Sequence, residues 1–289
     1  MTATPRYAVV TPVKDEEEHL RVLAASLATQ TVAPSRWIVV ENGSSDRTLA
    51  VARDLAREFE WVRVVVTDPA AGIRGAPVVR AFHAGLEALD GPVEAVAKVD
   101  ADVSLAPDYF ERLLGALASD RSLGLLSGTC VDVYDGVPIE RAVTGDQVWG
   151  AARMYRWECL QDVLPLEERM GWDGIDVVKA QALGWRTATL RELPFDHHRR
   201  EGERDGSRWA AWLAQGVAAR YMRYRPSYLL LKTAHRALRE PQAVAILCGY
   251  GAAALRREPR CPDRAVVGRL REVQRLRSLP LRAREALGR

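Results

Sequence analysis

The chain has 289 residues, of which 48% are hydrophobic and 27% charged, with 21 glycines and 15 prolines. That is enough chain for one large α/β domain or two modest ones, and the composition excludes a disordered, collagenous or disulfide-stapled protein. A net charge of only +3 argues against a dedicated nucleic-acid binder.

The first 130 residues alternate between two hydrophobic periods. Tyr7 to Thr11 is a short apolar run, read as a buried strand, and Glu16 to Ala28 places Leu20, Leu23, Ala24 and Leu27 at helical spacing. Trp37 to Val40 is a second strand, and a helix through Phe59 follows, capped by Ser44 or Ser45. Val62 to Val66 is a strand, Ala76 to Leu89 a helix, and Ala95 to Val99 a strand that ends at Asp100. Pro107 to Leu117 reads as a helix and Leu123 to Thr129 as a strand. Short strands alternating with helices build βαβ units, so the expected sheet is mostly parallel with helices on both faces. In such a sheet, ligands bind at the carboxyl ends of the strands.

After Thr129 the alternation weakens, a further strand is expected at Thr187 to Leu193, and from residue 207 the chain reads as helical. Charge changes with it: residues 1–198 hold 20 basic and 30 acidic side chains, net −10, and residues 199–289 hold 21 and 8, net +13. The expected division is a catalytic domain at 1–206, with halves at 1–129 and 130–206, and a basic helical region at 207–289. Cys130, Cys159, Cys248 and Cys261 form no CxxC pair and are read as reduced core thiols, which fits the cytoplasm. The N-terminus carries no signal-peptide pattern, and the nearly uncharged run Ala243 to Leu255 is too short for a membrane span.

The sharpest local feature is Lys98-Val99-Asp100-Ala101-Asp102 at the end of the fourth strand. Two carboxylates at i and i+2 are costly together unless a cation neutralises them, so a hard divalent ion, Mg²⁺ or Mn²⁺, is the natural partner. Such an ion completes its shell with phosphate oxygens and water. The glycine-bearing stretch Gly72-Ile73-Arg74-Gly75 is neither a Walker A loop nor a dinucleotide fingerprint, and Arg74 and Arg80 are candidate phosphate partners.

Five stretches in order resemble the family 2 glycosyltransferases of the GT-A fold: Thr11 to Glu18, Ile38 to Thr48, Ala81 to Gly85, Lys98 to Asp102 and Gly171 to Asp176. The resemblance implies a GT-A-type, Rossmann-like sheet, a nucleotide-diphosphate-sugar donor, a divalent metal and inversion at the anomeric carbon. It places Pro12 and Glu16 against the base and ribose, Glu41 where an aspartate usually reads a uracil edge, and Asp100 on ribose or sugar, with Lys98 beside it. Asp102 is then the metal ligand. Glu41 is one methylene longer than the usual residue, and His83 stands where Asn is common, so UDP is favoured with dTDP or GDP open.

An inverting transferase needs a base for the acceptor hydroxyl. Asp173 and Asp176 are the candidates, Asp173 first, with Asp176 also able to cap a helix running to Leu183. In Asp196-His197-His198-Arg199-Arg200, one of the paired histidines, His197 or His198, is expected at the metal, and Arg199 and Arg200 near the departing diphosphate. Ser207-Arg208-Trp209 lacks the glutamine of the processive synthases, which favours addition of a single sugar. The acceptor is expected to be lipid-linked or a polysaccharide of the cell envelope. In the basic tail, Arg and Tyr residues from Arg220 to Tyr228 and the bracketed apolar run 243–255 suit a helix lying on an anionic membrane, at its inner face, with an Arg-rich helical cap on the catalytic domain as the alternative. The alternatives are a sugar nucleotidyltransferase and a non-catalytic binder of sugar nucleotide or lipid.

Overall fold

Strand β1 (Tyr7–Val13) is buried on both faces because it lies between β2 (Arg36–Glu41) and β4 (Ala95–Val99), while β3 (Val62–Val66) at the sheet edge is buried only in part. A computed structural model describes residues 6–68, 75–134, 137–141, 146–199, 207–238 and 240–275. The remaining strands are β5 (Val103–Leu105), β6 (Leu123–Tyr134), β7 (Val137–Glu140), β8 (Ala152–Arg156) and β9 (Arg186–His197). Their order is β3-β2-β1-β4-β8-β6-β9-β5, with β7 paired to β6. This is the α/β architecture expected, with one refinement. The first four strands are parallel, as is the pair β6/β9, but β4/β8, β6/β8, β6/β7 and β5/β9 are antiparallel. Among the described residues no crossover helix separates β6 from β8, and the returning chain pairs antiparallel, at the point where the sequence alternation fades.

The period of two divides the core. Tyr7, Val9, Trp37, Val39, Ala97 and Val99 pack against Leu20, Leu23 and Leu27 of α1 (His19–Ala28), Val51 and Leu55 of α2 (Thr48–Glu58), and Phe110 and Leu113 of α4 (Tyr109–Ser119). Val10, Ile38, Val40 and Val96 face Phe82 of α3 (Ala76–Glu87), Leu160 of α5 (Trp157–Val163), and Trp172 and Val177 of α6 (Trp172–Ala182). Each fully buried Leu or Phe contributes roughly 1.5–3 kcal/mol.

Two helices start later than their periodicity predicts, for one reason. Residues 14–18 and 42–47 are two loops bound to each other: the Glu16 N–H donates to Thr48 Oγ1 at 2.7 Å, the Asp15 N–H to Ser44 Oγ at 3.1 Å, and the Ser45 N–H to Asp15 Oδ1 at 2.7 Å. Neither Ser44 nor Ser45 caps α2; Asp46 accepts the Thr48 N–H at 2.9 Å instead. These side-chain contacts hold the loops at the carboxyl ends of β1 and β2. Asp176 likewise caps nothing, since α6 begins at Trp172, behind Gly171 at φ 80°.

The chain divides into two compact units, Met1–Arg199 and Arg200–Arg289. In the second, α7 (Arg208–Tyr221) is capped by Ser207, whose Oγ accepts the Ala210 N–H at 3.1 Å. Then come α8 (Pro226–Ala237), a 3₁₀ turn (Pro241–Val244), α9 (Ala245–Leu255) and α10 (Arg264–Val273). Helices α7 and α9 touch backbone to backbone at Gly216 and Gly249. A Cβ on Gly216 would lie 2.0 Å from the Ile246 carbonyl oxygen, and one on Gly249 would lie 2.1 Å from that of Leu213. Helix α8 buries only Leu229 and Thr233, and leaves Ser227, Leu230, Leu231, Ala234, His235 and Leu238 exposed as one helical stripe. Among the described residues no helix is long and apolar enough to cross a membrane. All four cysteines are free; Cys248 is exposed rather than in the core.

Candidate active site

Neighbouring parallel strands bring their carboxyl ends together, so β2-β1-β4 aligns Glu41, Pro12 and Asp100 along one edge. Pro12 is half-buried and in register with Val40. Glu41 is buried, and its Oε1 accepts the Ser44 N–H, fixing the turn after β2. Glu16 is also buried. Its two oxygens accept from the Arg199 guanidinium at 2.9 and 2.8 Å, and Oε2 lies 3.1 Å from His19 Nδ1. A residue expected against the donor is thus clasped by Arg199, 183 positions away. Burial, and then the Arg199 charge, hold the His19 imidazole below its ordinary pKa.

Lys98 is buried within β4. Its ammonium donates to Asp100 and, at 3.0 Å, to the carbonyl of Gly150, and it lies 5.4 Å from the centroid of the Trp172 ring. Desolvation raises the Asp100 carboxyl above the usual range; the Lys98 charge opposes this and Asp102 adds to it. Asp102 is nearly buried, at 12% side-chain exposure, and its carboxylate lies 3.8 Å from His197 Nε2 and 4.0 Å from Arg199 Nε. Both distances exceed a hydrogen bond.

The expected strand before the histidines extends further than its periodicity predicts, so His197 is the last residue of β9 rather than part of a loop. It pairs in register with Val103 on one side and Asp132 on the other, and its Nδ1 lies 3.1 Å from Asp132 Oδ1. His198 diverges: its Nε2 lies 2.6 Å from Ser104 Oγ and its ring faces His19. The His198 N–H donates to the Asp102 carbonyl at 2.8 Å, but of the two imidazoles only that of His197 lies beside the Asp102 carboxylate. Donor atoms of Cys130, Asp132 and His197 lie within 4.8 Å of one another, but the second Asp132 oxygen is ion-paired with Arg141.

The two candidate bases part company. Asp176 is buried among Arg153, which donates to it at 2.6 Å, the Tyr155 hydroxyl, and the Val177 N–H at 2.7 Å. Asp173 is half-buried in the first turn of α6, and its carboxylate lies against Gly150, where an added Cβ would come within 2.7 Å of Oδ2. A continuous set of contacts therefore runs Asp100–Lys98–Gly150–Asp173.

Arg153 is fully buried and satisfies most of its donors internally, reaching the carbonyls of Trp149 at 3.0 Å, Val148 at 2.9 Å and Asp173 at 2.9 Å. The sequence expectations omit it, along with Asp132 and Gly150. The signal for Arg153 is a cation inside the apolar run Ala151 to Met154. His83 is engaged within the fold: its Nε2 accepts the Leu166 N–H at 3.3 Å, and burial lowers its pKa. Arg80 is ion-paired with Glu168 at 2.6 Å. Arg74 and Arg200 lie outside the described residues.

The family model for glycosyl transferase family 2 matches residues 8–144, the segment holding Pro12, Glu16, Glu41, Lys98, Asp100, Asp102 and Asp132. Residues 8–144 are thus similar to the family 2 glycosyltransferases over just under half of the chain. The chain is similar to the glycosyltransferase AglE of Haloferax volcanii, 28% identical over 139 residues, which are 47% of this chain and 40% of that one. It therefore spans about two-fifths of that relative's length. In fold it is similar to a mannosyltransferase of Pyrobaculum calidifontis in complex with GDP-Man and Mn²⁺, at TM-score 0.60 and 18% identity, covering 99% of this chain and 85% of that one. It is similar also to residues 1–349 of S. aureus TarS in complex with UDP-GlcNAc, at TM-score 0.56 and 20% identity, covering 74% and 65%. The matched segment thus supplies the strand ends, and residues beyond it supply His197 and Asp173.

Proposed function

We propose that the protein is an inverting, metal-dependent glycosyltransferase that moves a single sugar from a nucleotide-diphosphate sugar, UDP-linked by preference, to a lipid-linked or polysaccharide hydroxyl. The observation that carries this reading is the contact path from Asp100 through Lys98 and Gly150 to Asp173, which supports reading Asp100 as the donor-side carboxylate and Asp173 as the base. The acceptor oxygen attacks the anomeric carbon as the bond from that carbon to the diphosphate oxygen breaks, and the acceptor proton passes to Asp173. Asp176 has its oxygens engaged by Arg153, Tyr155 and Val177, and its part is to hold α6.

Asp102 and His197 fit a divalent ion. Their facing atoms are 3.8 Å apart, and two donors each about 2.1 Å from one ion sit roughly 3–4 Å from each other. The carboxylate suits Mn²⁺ or Mg²⁺, and the imidazole favours Mn²⁺ of the two. When bound, the ion supplies positive charge for the leaving diphosphate. Arg199, 4.0 Å from Asp102, adds a fixed cation at the same place. Pro12, Glu16 and Glu41 line the nucleoside side, with Lys98 orienting Asp100.

For the second unit we propose peripheral contact with an anionic membrane at the cytoplasmic face, where a lipid-linked acceptor would be presented. The supporting feature is the α8 stripe, with Leu230 56%, Leu231 47% and Leu238 85% exposed, in a unit whose residues 200–289 carry 20 basic and 8 acidic side chains, net +12. The test of the whole reading is NMR of the product formed from an α-linked UDP-sugar with Mn²⁺ and an envelope lipid extract. A β-linked product supports inversion; an α-linked product, or release of nucleoside monophosphate in place of diphosphate, contradicts it.

A further inference from the structure

We propose that Asp132 is a positioning residue for the donor-site metal: it holds the Nδ1 proton of His197 and so turns the Nε2 lone pair toward Asp102. The proposal rests on the metal reading above. An ion-paired carboxylate only accepts hydrogen bonds, so the ring nitrogen beside it carries the hydrogen and the opposite nitrogen is left as the ligand atom. That is the arrangement here. Asp132 Oδ1 lies 3.1 Å from His197 Nδ1, and His197 Nε2 lies 3.8 Å from Asp102 Oδ1.

Three features make the arrangement rigid. Asp132 and His197 are register partners on β6 and β9, so the backbone fixes their separation. On its other side His197 pairs with Val103, which closes the strand against β5. The Asp132 side chain is 2% exposed and its second oxygen is ion-paired with Arg141, so the carboxylate is neutralised and aimed. Arg141 also argues against a separate soft-metal site at Cys130, Asp132 and His197 Nδ1, because a cation already occupies Asp132. Carboxylates that hold the far nitrogen of a ligating histidine typically govern metal affinity by about 10–100-fold.

The experiment is Mn²⁺ titration of the full chain with UDP, and in parallel with GDP, followed by electron paramagnetic resonance for affinity and by spin-echo nitrogen couplings for ligation. Wild type should bind Mn²⁺ with a nitrogen coupling that His197→Gln removes and His198→Gln keeps. Asp132→Ala should weaken Mn²⁺ by about 100-fold, and Asp132→Asn, which retains a carbonyl acceptor for Nδ1–H, by only about 10-fold. If Asn is as damaging as Ala, the Arg141 ion pair is the point of Asp132 and the proposal is overturned. It is overturned also by wild-type affinity in the Asn and Ala variants. Should Ala not fold, as read by circular dichroism, the Asn variant decides: a drop of about 10-fold supports the proposal, and unchanged affinity ends it. If wild type binds no Mn²⁺ with either nucleotide, the metal reading falls first and this inference with it.

Discussion

Arg153 donates to Asp176 at 2.6 Å, with side chains 0% and 1% exposed, and the same guanidinium donates to the backbone carbonyl of Asp173 at 2.9 Å. One buried cation thus fixes both the helix and the carbonyl of the proposed base. Removing one member of a buried pair strands the other, at a cost of about 3–5 kcal/mol. Arg153→Met should therefore lower the unfolding free energy by about that amount in denaturant titration, and Arg153→Met with Asp176→Leu should recover part of the loss.

Gly150 is the contact that sets the Asp173 carboxylate. A methyl group there would sit 2.7 Å from Oδ2, which must move. Because a displacement near 1 Å at a reacting group can cost about 100-fold in rate, Gly150→Ala should reduce kcat by roughly 10–100-fold. The melting temperature should stay near that of wild type, since what moves is the end of a side chain.

His83 is held neutral by burial and accepts the Leu166 N–H through Nε2. Its folded pKa lies below its unfolded one, so the unfolded state takes up the proton first and stability is lost as pH falls below about 6.5. His83→Gln, which does not titrate there, should flatten that part of the stability curve; equal slopes for variant and wild type would contradict the assignment. His19 is shifted in the same direction, so the difference between the two curves is the quantity to read.

The α8 stripe gives a prediction for the second unit. Leu230→Glu with Leu231→Glu should abolish sedimentation with anionic liposomes at low salt and leave the melting temperature within about 2 °C, because neither side chain is buried. Retained sedimentation would place membrane contact elsewhere, and a wild type that stays in the supernatant would end the membrane reading.

Much of the first unit was legible in its periodicity. β3 and β4 have the expected limits, and β1 and β2 are longer by one or two residues, because four apolar residues in a row have few other stable settings. The starts of α1 and α2 were misplaced because Ser44 and Thr48 bind across to residues 15 and 16, and Asp46 to residue 17, a pairing of loops that no local pattern encodes. Among the site residues, Asp100 and Asp102 announced themselves by spacing at a strand end. The division of labour between His197 and His198 depends on strand register, and that between Asp173 and Asp176 on Arg153, whose contacts span more than 20 residues. Those relationships exist only once the sheet has formed.

The central claim is that Asp102 serves the donor through a divalent ion while Asp173 takes the acceptor proton. The direct test is Mn²⁺-dependent turnover of a nucleotide-sugar panel by wild type, Asp102→Asn, Asp173→Asn and Asp176→Asn. Wild-type activity should vanish with chelator; Asp102→Asn and Asp173→Asn should each lose at least about 100-fold in kcat, and Asp176→Asn should lose far less per folded molecule. Full metal-dependent activity in Asp102→Asn, or a larger loss in Asp176→Asn than in Asp173→Asn, would contradict the account.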